Sequence, residues 1–315
     1  MAERWIVRLL AAPALLALIA IVASDAVTDR FAFAQSAWWV PRIPVLIGAA
    51  LWFFAVGSYT RWRLRDPRAA KRLSWLGAAT AVFALLHFLS MWGFPKTPRE
   101  GAFRVVHWNA SFIEDEFAHD AVRQLLELNA DAIILTDAGA PVLSGGIEQF
   151  TSAGYMLARP GRFTVLSRVA IIEARSILAE RSRFVSRVRL QTSLGELVIE
   201  TLDLPSHPSI PRTLSMRSLS ADLAAVRATL PDLMIGDFNI TRGSHSLTLL
   251  APDAVEAFAV AGSGWGGSFP RTKPLWSIDL ALVREPWSPV RSHIIDFGFG
   301  RHRVQVVDLV RSAAQ

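Results

Sequence analysis

Five oxygen-bearing side chains stand at or beside the ends of apolar, β-rich runs: Asn109, Asp137, Asp237, Asn239 and Asp279. Carboxylates and amides gathered at strand ends supply the oxygen ligands that hold a hard divalent cation, and such clefts are a usual place for chemistry. Taken singly, each has a plainer reading, because Asn and Asp also favour turns and caps. His107 lies two residues before Asn109, so on a strand the two side chains point the same way; a rim or buried histidine is the expectation there. The chain has no cysteine, which excludes disulfides, zinc–thiolate sites and cysteine nucleophiles.

The elements that must position these residues can be read from hydrophobic spacing. Phe103 to Trp108 is apolar and β-rich and ends at Asn109. Phe117 to Leu128 has helical spacing. Ala132 to Leu135 reads as a buried strand leading to Asp137, with further strands at Phe163–Ser167, Phe184–Leu190 and Leu197–Leu202. Ser215 to Leu230 reads as a helix with Leu219, Leu223, Val226 and Leu230 on its buried side. Leu233 to Ile235 is a short strand running into Gly236-Asp237-Phe238-Asn239, and Ile278–Val283 and Val304–Val310 are the last strands. Strands and helices mixed without a strict βαβ rhythm predict an α/β sandwich rather than a doubly wound sheet.

The first 95 residues are of another kind. The chain of 315 residues is 52% hydrophobic and carries a net charge of +6, and the apolar excess lies before Pro95. Runs at about 5–23, 44–59 and 73–94 each approach the ~20 residues that cross a bilayer core, which predicts an all-α transmembrane region of three helices. The loop from Thr60 to Arg72 holds Arg61, Arg63, Arg65, Arg68, Lys71 and Arg72 against Asp66 alone. The positive-inside rule puts that loop in the cytoplasm; residues 96–102 then form a linker, and 103–315 form a domain on the far side of an inner, cytoplasmic membrane. A rival reading is a signal peptide, with Ala32-Phe33-Ala34 as a small-x-small cleavage site.

From Phe103 to Val310, motifs and their order resemble the endonuclease/exonuclease/phosphatase (DNase I-like) superfamily. Ile235-Gly236-Asp237-Phe238-Asn239 matches its Gly-Asp-Phe-Asn signature. Phe103 to Asn109 looks like its opening strand, and Val165-Leu166-Ser167-Arg168 resembles its interior strand. Gly264 to Pro270 followed by Ser277-Ile278-Asp279 is similar to its Gly-x-x-Thr-Trp-Pro and Ile-Asp-His pair, and Gly300-Arg301-His302-Arg303 sits where its terminal Ser-Asp-His-Arg belongs. Four positions depart from the pattern: Asp137 replaces the metal-binding Glu, Asp203 the mid-chain His, Leu280 the His after Ile-Asp, and Arg301 the Asp before the last His, a carboxylate that in the family orients that His.

The resemblance implies a four-layer α/β sandwich, two packed mixed sheets flanked by helices, and a metal-dependent phosphoesterase, of nuclease or phospholipid-type phosphodiesterase class, using Mg²⁺ or Mn²⁺. It assigns Asn109, Asp137 and Asp279 to the metal, and Asp237, Asn239 and His302 to catalysis. Arg301 becomes a phosphate contact, since guanidinium pairs well with phosphate. The expected partners are a phosphodiester substrate, nucleic acid or lipid head group, and the membrane in which the chain is integral. The departures leave an alternative open: a catalytically degenerate relative that binds a phosphorylated ligand or a protein.

Overall fold

Alternation at every second residue decides the architecture of the C-terminal part. In the strand Phe103–Asn109, Phe103 and Val105 face one way and Val106 and Trp108 the other. All are buried, because each face packs on something: the first on a second sheet, the second on helices. The computed structural model describes residues 2–138, 146–180 and 182–312. The chain forms two units, Met1–Met91 and Trp92–Gln315.

The first unit is helical: α1 Ala2–Val27, α2 Ala32–Trp38, α3 Arg42–Trp62 and α4 Pro67–Met91. Three of these, α1, α3 and α4, are long and apolar enough to cross a membrane. Ala32-Phe33-Ala34 lies within α2. The expected third span differs at its end, since Trp92 and Gly93 are a short strand of the second unit rather than a continuation of α4.

The second unit contains two mixed sheets. In chain order the strands are β1 Trp92–Gly93, β2 Phe103–Asn109, β3 Ala132–Thr136, β4 Met156–Ala158, β5 Phe163–Ser167, β6 Ala170–Glu180 and β7 Arg183–Thr192. They continue with β8 Gly195–Asp203, β9 Leu233–Asp237, β10 Val255–Glu256, β11 Gly262–Trp265, β12 Asp279–Val283, β13 Trp287–Ile295 and β14 Val304–Arg311. The first sheet runs β1-β11-β13-β14-β2-β3-β5-β4 and the second β10-β12-β9-β8-β7-β6. Val105, Ile134, Val165 and Leu309 of the first sheet meet Val188, Ile199, Ile235 and Val283 of the second in a shared core. The outer face of the first sheet buries Trp108, Ile133 and Leu135 against Val122 and Leu125 of the helix Ala118–Glu127. The outer face of the second buries Leu202, Met234 and Leu280 against Met216, Leu219 and Leu223 of the helix Arg212–Val226. The four layers expected from the sequence are thus present.

Six strands escaped the sequence reading: the short β1, β4, β10 and β11, and the longer β6 and β13. β6 carries Glu, Arg and Ala through a half-exposed edge position, so it lacks the apolar run that marks a central strand. β13 contains Pro289 at a register shift against β14, and Pro normally argues against a paired strand.

Candidate active site

The row of acids at one edge of the second sheet follows from register. Asp279 at the start of β12 is the antiparallel partner of Asp237 at the end of β9. Asp203 at the end of β8 is the parallel neighbour of Asp237, and Phe184 of β7 faces Asp203. Three carboxylates therefore stand side by side on one face. Like charges directly opposite each other destabilise a sheet, so this row must find compensation from the other sheet.

The first sheet supplies it. His302, just before β14, donates from Nδ1 to Asp279 Oδ2 at 2.9 Å, and its Nε2 lies 3.8 Å from Asp237 Oδ2. Asn109, closing β2, donates from Nδ2 to Asp237 Oδ2 at 2.9 Å. Ligand atoms of Asp237, Asp279 and His302 all lie within 4.8 Å of one another, and all three residues are buried. Burial and the neighbouring Asp279 charge push the Asp237 carboxyl up to about 8. Burial works against charging His302, yet its contact with Asp279 prevails and its imidazole is raised to about 9. The His302 imidazolium in turn holds Asp279 below the usual carboxylate range, despite full burial. Asp279 Oδ1 is buried with no hydrogen-bond partner among the described residues.

The Gly-Asp-Phe-Asn segment has a separate physical reason at each position. A Cβ on Gly236 would sit 2.0 Å from the carbonyl oxygen of Leu202 on β8, so only glycine allows the two strands to pair. Asp237 joins the acid row. Phe238 turns away into the core behind the second sheet. Asn239 adopts φ +50°, which Asn tolerates better than most residues. Its backbone N–H donates to Asp237 Oδ1 at 3.0 Å and its Nδ2 to Leu204 O at 2.8 Å. Asn239 thereby fixes Asp237 and the chain after β8.

Three of the four departures from the family pattern take on a structural meaning. Leu280 follows Asp279 on β12, so it points to the opposite face and packs in the core against the outer helices; it takes no part in the acid row. Arg301 is exposed with its guanidinium 4.5 Å over the Phe112 ring, while Asp279 is the residue that orients His302. Asp137 lies past the end of β3 and pairs with Arg162 Nη2 at 2.5 Å; the same guanidinium reaches Asp203 at 2.8 Å from Nη1. Asp237 and Asp279, with Asn109 bonded to Asp237, are thus brought together with His302, whereas Asp137 is ion-paired with Arg162.

The sequence reading left out Arg162, and it took Ser268 and Phe269 only as part of the Gly264–Pro270 motif, with no role of their own. Ser268 Oγ accepts from the Asp279 N–H at 3.2 Å, and the Phe269 ring lies 4.8 Å from that of His302. Arg162 stands just before β5 and belongs to no motif itself, so only tertiary pairing reveals it. His107 is fully buried, bonded through Nε2 to Thr136 Oγ1 at 3.0 Å, and burial lowers it to about 4. It is a neutral core histidine behind the site.

No model of a protein family matches the chain, and no curated protein sequence matches it. Solved structures do. An endonuclease/exonuclease/phosphatase family protein from Bacteroides thetaiotaomicron is 14% identical, with 70% of this chain and 100% of that one covered at a TM-score of 0.55. The second unit has the endonuclease/exonuclease/phosphatase fold. Truncated Caenorhabditis elegans TDP2 matches at 13% identity over 67% of this chain and 99% of its own, TM-score 0.55. The human Nocturnin catalytic domain with bound sulfate matches at 12% over 69% and 97%, TM-score 0.54. In each case nearly the whole of the solved chain is covered, so the likeness is to the complete endonuclease/exonuclease/phosphatase fold rather than to a fragment of it.

Proposed function

We propose that this chain is a membrane-anchored, metal-dependent phosphoesterase that cleaves phosphodiester bonds outside the cytoplasm. The observation that supports it most is the buried Asp237–Asp279–His302 group on the endonuclease/exonuclease/phosphatase fold. A Danio rerio TDP2 of the same fold is described in complex with a single-strand DNA product. Nucleic acid and lipid head groups both offer the phosphodiester this reading requires.

A divalent cation fits the donor set. Two buried carboxylates face each other as strand partners, one of them keeps an oxygen with no partner among the described residues, and the other is driven towards protonation by burial and by the charge of the first. Oxygen donors of this kind suit Mg²⁺ or Mn²⁺. Asp237 and Asp279 would hold the ion, with Asn109 keeping the Asp237 carboxylate in place. Such an ion supplies polarisation of a phosphoryl oxygen and neutralisation of developing charge. The protein's own groups do the proton transfers: ionised Asp237 takes the proton of the attacking water, and His302 donates from Nε2 to the leaving oxygen. Arg301, exposed beside His302, contacts the substrate phosphate.

The test is release of nitrophenol from bis(4-nitrophenyl) phosphate by the full chain in detergent. Mg²⁺ or Mn²⁺ should be required, EDTA should stop the reaction, and Asp237→Ala and His302→Ala should each lower the rate about 10²-fold or more. Absence of hydrolysis with every divalent ion tried would overturn the enzymatic reading and leave a phosphate-binding module.

A further inference from the structure

Arg162 links the two sheets across the acidic edge, and backbone pairing on both sides puts it there. Thr136 of β3 and Phe163 of β5 are partners, and the Asp137 N–H donates to Arg162 O at 3.2 Å, so Asp137 and Arg162 extend that ladder by one pair. From the first sheet the guanidinium crosses to Asp203 on the second, 2.8 Å away, while Nη2 stays 2.5 Å from Asp137 Oδ2. It lies 4.4 Å over the ring of Phe184, the strand partner of Asp203. The approach is tied down as well, since Ser186 Oγ donates to Pro160 O at 2.8 Å and Gly161 turns the chain at φ +67°.

We propose that Arg162 is a resident cation of the site. It takes the place of a divalent ion between Asp137 and Asp203, and so confines divalent-ion binding to the Asp237–Asp279 pair. This rests on the metal-dependent reading above. A guanidinium keeps its charge throughout the working pH range, spans two carboxylates with its planar fork, and is more weakly hydrated than an ammonium. It is tethered to the chain, so no chelator removes it. Side-chain exposure falls from 46% at Asp137 to 14% at Asp203 and to 0% at Asp279, so Arg162 separates the solvent-facing acid from the buried pair. Asp137, the acid most open to an incoming ion, is the one already occupied.

The experiment is Mn²⁺ binding by the full chain in detergent, freed of metal and followed by the electron paramagnetic resonance signal of unbound Mn²⁺. Wild type should bind one ion. Arg162→Met should bind a second, and adding Asp137→Asn to it should remove that second ion. Asp137→Asn alone should leave wild-type affinity within about threefold, because the carboxylate is already engaged. The proposal is overturned if Asp137→Asn alone weakens Mn²⁺ binding tenfold, or if folded Arg162→Met still binds a single ion with unchanged affinity. Asp137 lies at the surface, so its variant decides the matter even if Arg162→Met does not fold. Should wild type bind no ion while Arg162→Met binds one, the role of Arg162 stands and the metal-dependent phosphoesterase reading falls. If neither binds, both fall.

Discussion

His302 and Asp237 hold protons unusually tightly for groups that must exchange them. Asp279 keeps His302 charged up to about 9, and burial beside Asp279 lifts Asp237 to about 8. In the proposed reaction the acid must be protonated and the base ionised. The rate should therefore fall as pH passes 9, and rise on the acid side through a value that a bound cation brings below 8. A pH profile of kcat/KM with Mg²⁺ checks this; a rate that keeps rising beyond pH 10 would remove His302 as the acid. The same groups set stability. Each folded pKa lies above its unfolded value, so the favourable contribution is full at low pH and is lost as pH rises, for His302 from about 6.5 through 9. The metal-free chain should melt at lower temperature at pH 9 than at pH 6.5, and this difference should shrink in His302→Asn. Arg301 makes a contrasting case. Because Asp279 already orients His302, Arg301→Asp should not raise kcat. It should instead weaken substrate binding by about 1 kcal/mol, a KM rise of about fivefold. A gain in kcat would mean that a carboxylate at this position is needed after all.

At the scale of elements, the site is a consequence of register. Asp279, Asp237 and Asp203 lie abreast because β12, β9 and β8 are neighbours whose pairs place those three residues in line. A one-residue slip of β9 would turn Asp237 into the core and Phe238 into the cleft. Gly236 secures this pairing by letting Leu202 O approach where any side chain would clash. Gly236→Ala should cost about 1–3 kcal/mol through overpacking. That corresponds to a melting temperature lower by about 3–10 °C, measurable by differential scanning fluorimetry. An unchanged melting temperature would show that β8 and β9 can separate without loss. Gly93 makes a similar close approach on β1, where a Cβ would lie 2.3 Å from the Gly262 backbone. This explains why the expected third span stops short of residue 94, since Trp92 and Gly93 are committed to pairing with β11.

For the whole molecule, the proposed reading joins an integral membrane unit to a domain working outside the cytoplasm. The short turn between α3 and α4, together with the last turn of α3 and the start of α4, carries the cluster from Arg61 to Arg72, and positive charge at that end of two spans sets orientation. The loop should be cytoplasmic and Gln315, outside the described residues, on the far side. A C-terminal alkaline phosphatase fusion, active only when exported, should be active, and a green fluorescent protein fusion at the same point dark. The reverse pair of results would place the acidic site in the cytoplasm.

Hydrophobic period and short motifs were enough to determine the three long apolar helices, the two-sheet sandwich, and the candidates Asn109, Asp237, Asp279 and His302. Each of these depends on local information: runs of apolar residues, alternation along a strand, or a signature such as Gly236-Asp237-Phe238-Asn239. The polar partners were legible only in three dimensions. That Asp279 rather than residue 301 orients His302, that Leu280 faces the far core, that Asn239 fastens Leu204, and that Arg162 bridges Asp137 to Asp203 all depend on which strands are neighbours and in what register. Such pairings join residues 23 to 128 positions apart in the cases of His302–Asp279 and Asn109–Asp237. A long-range ion pair leaves no periodic trace in the chain, because either partner alone is an ordinary surface charge until the sheets close on each other.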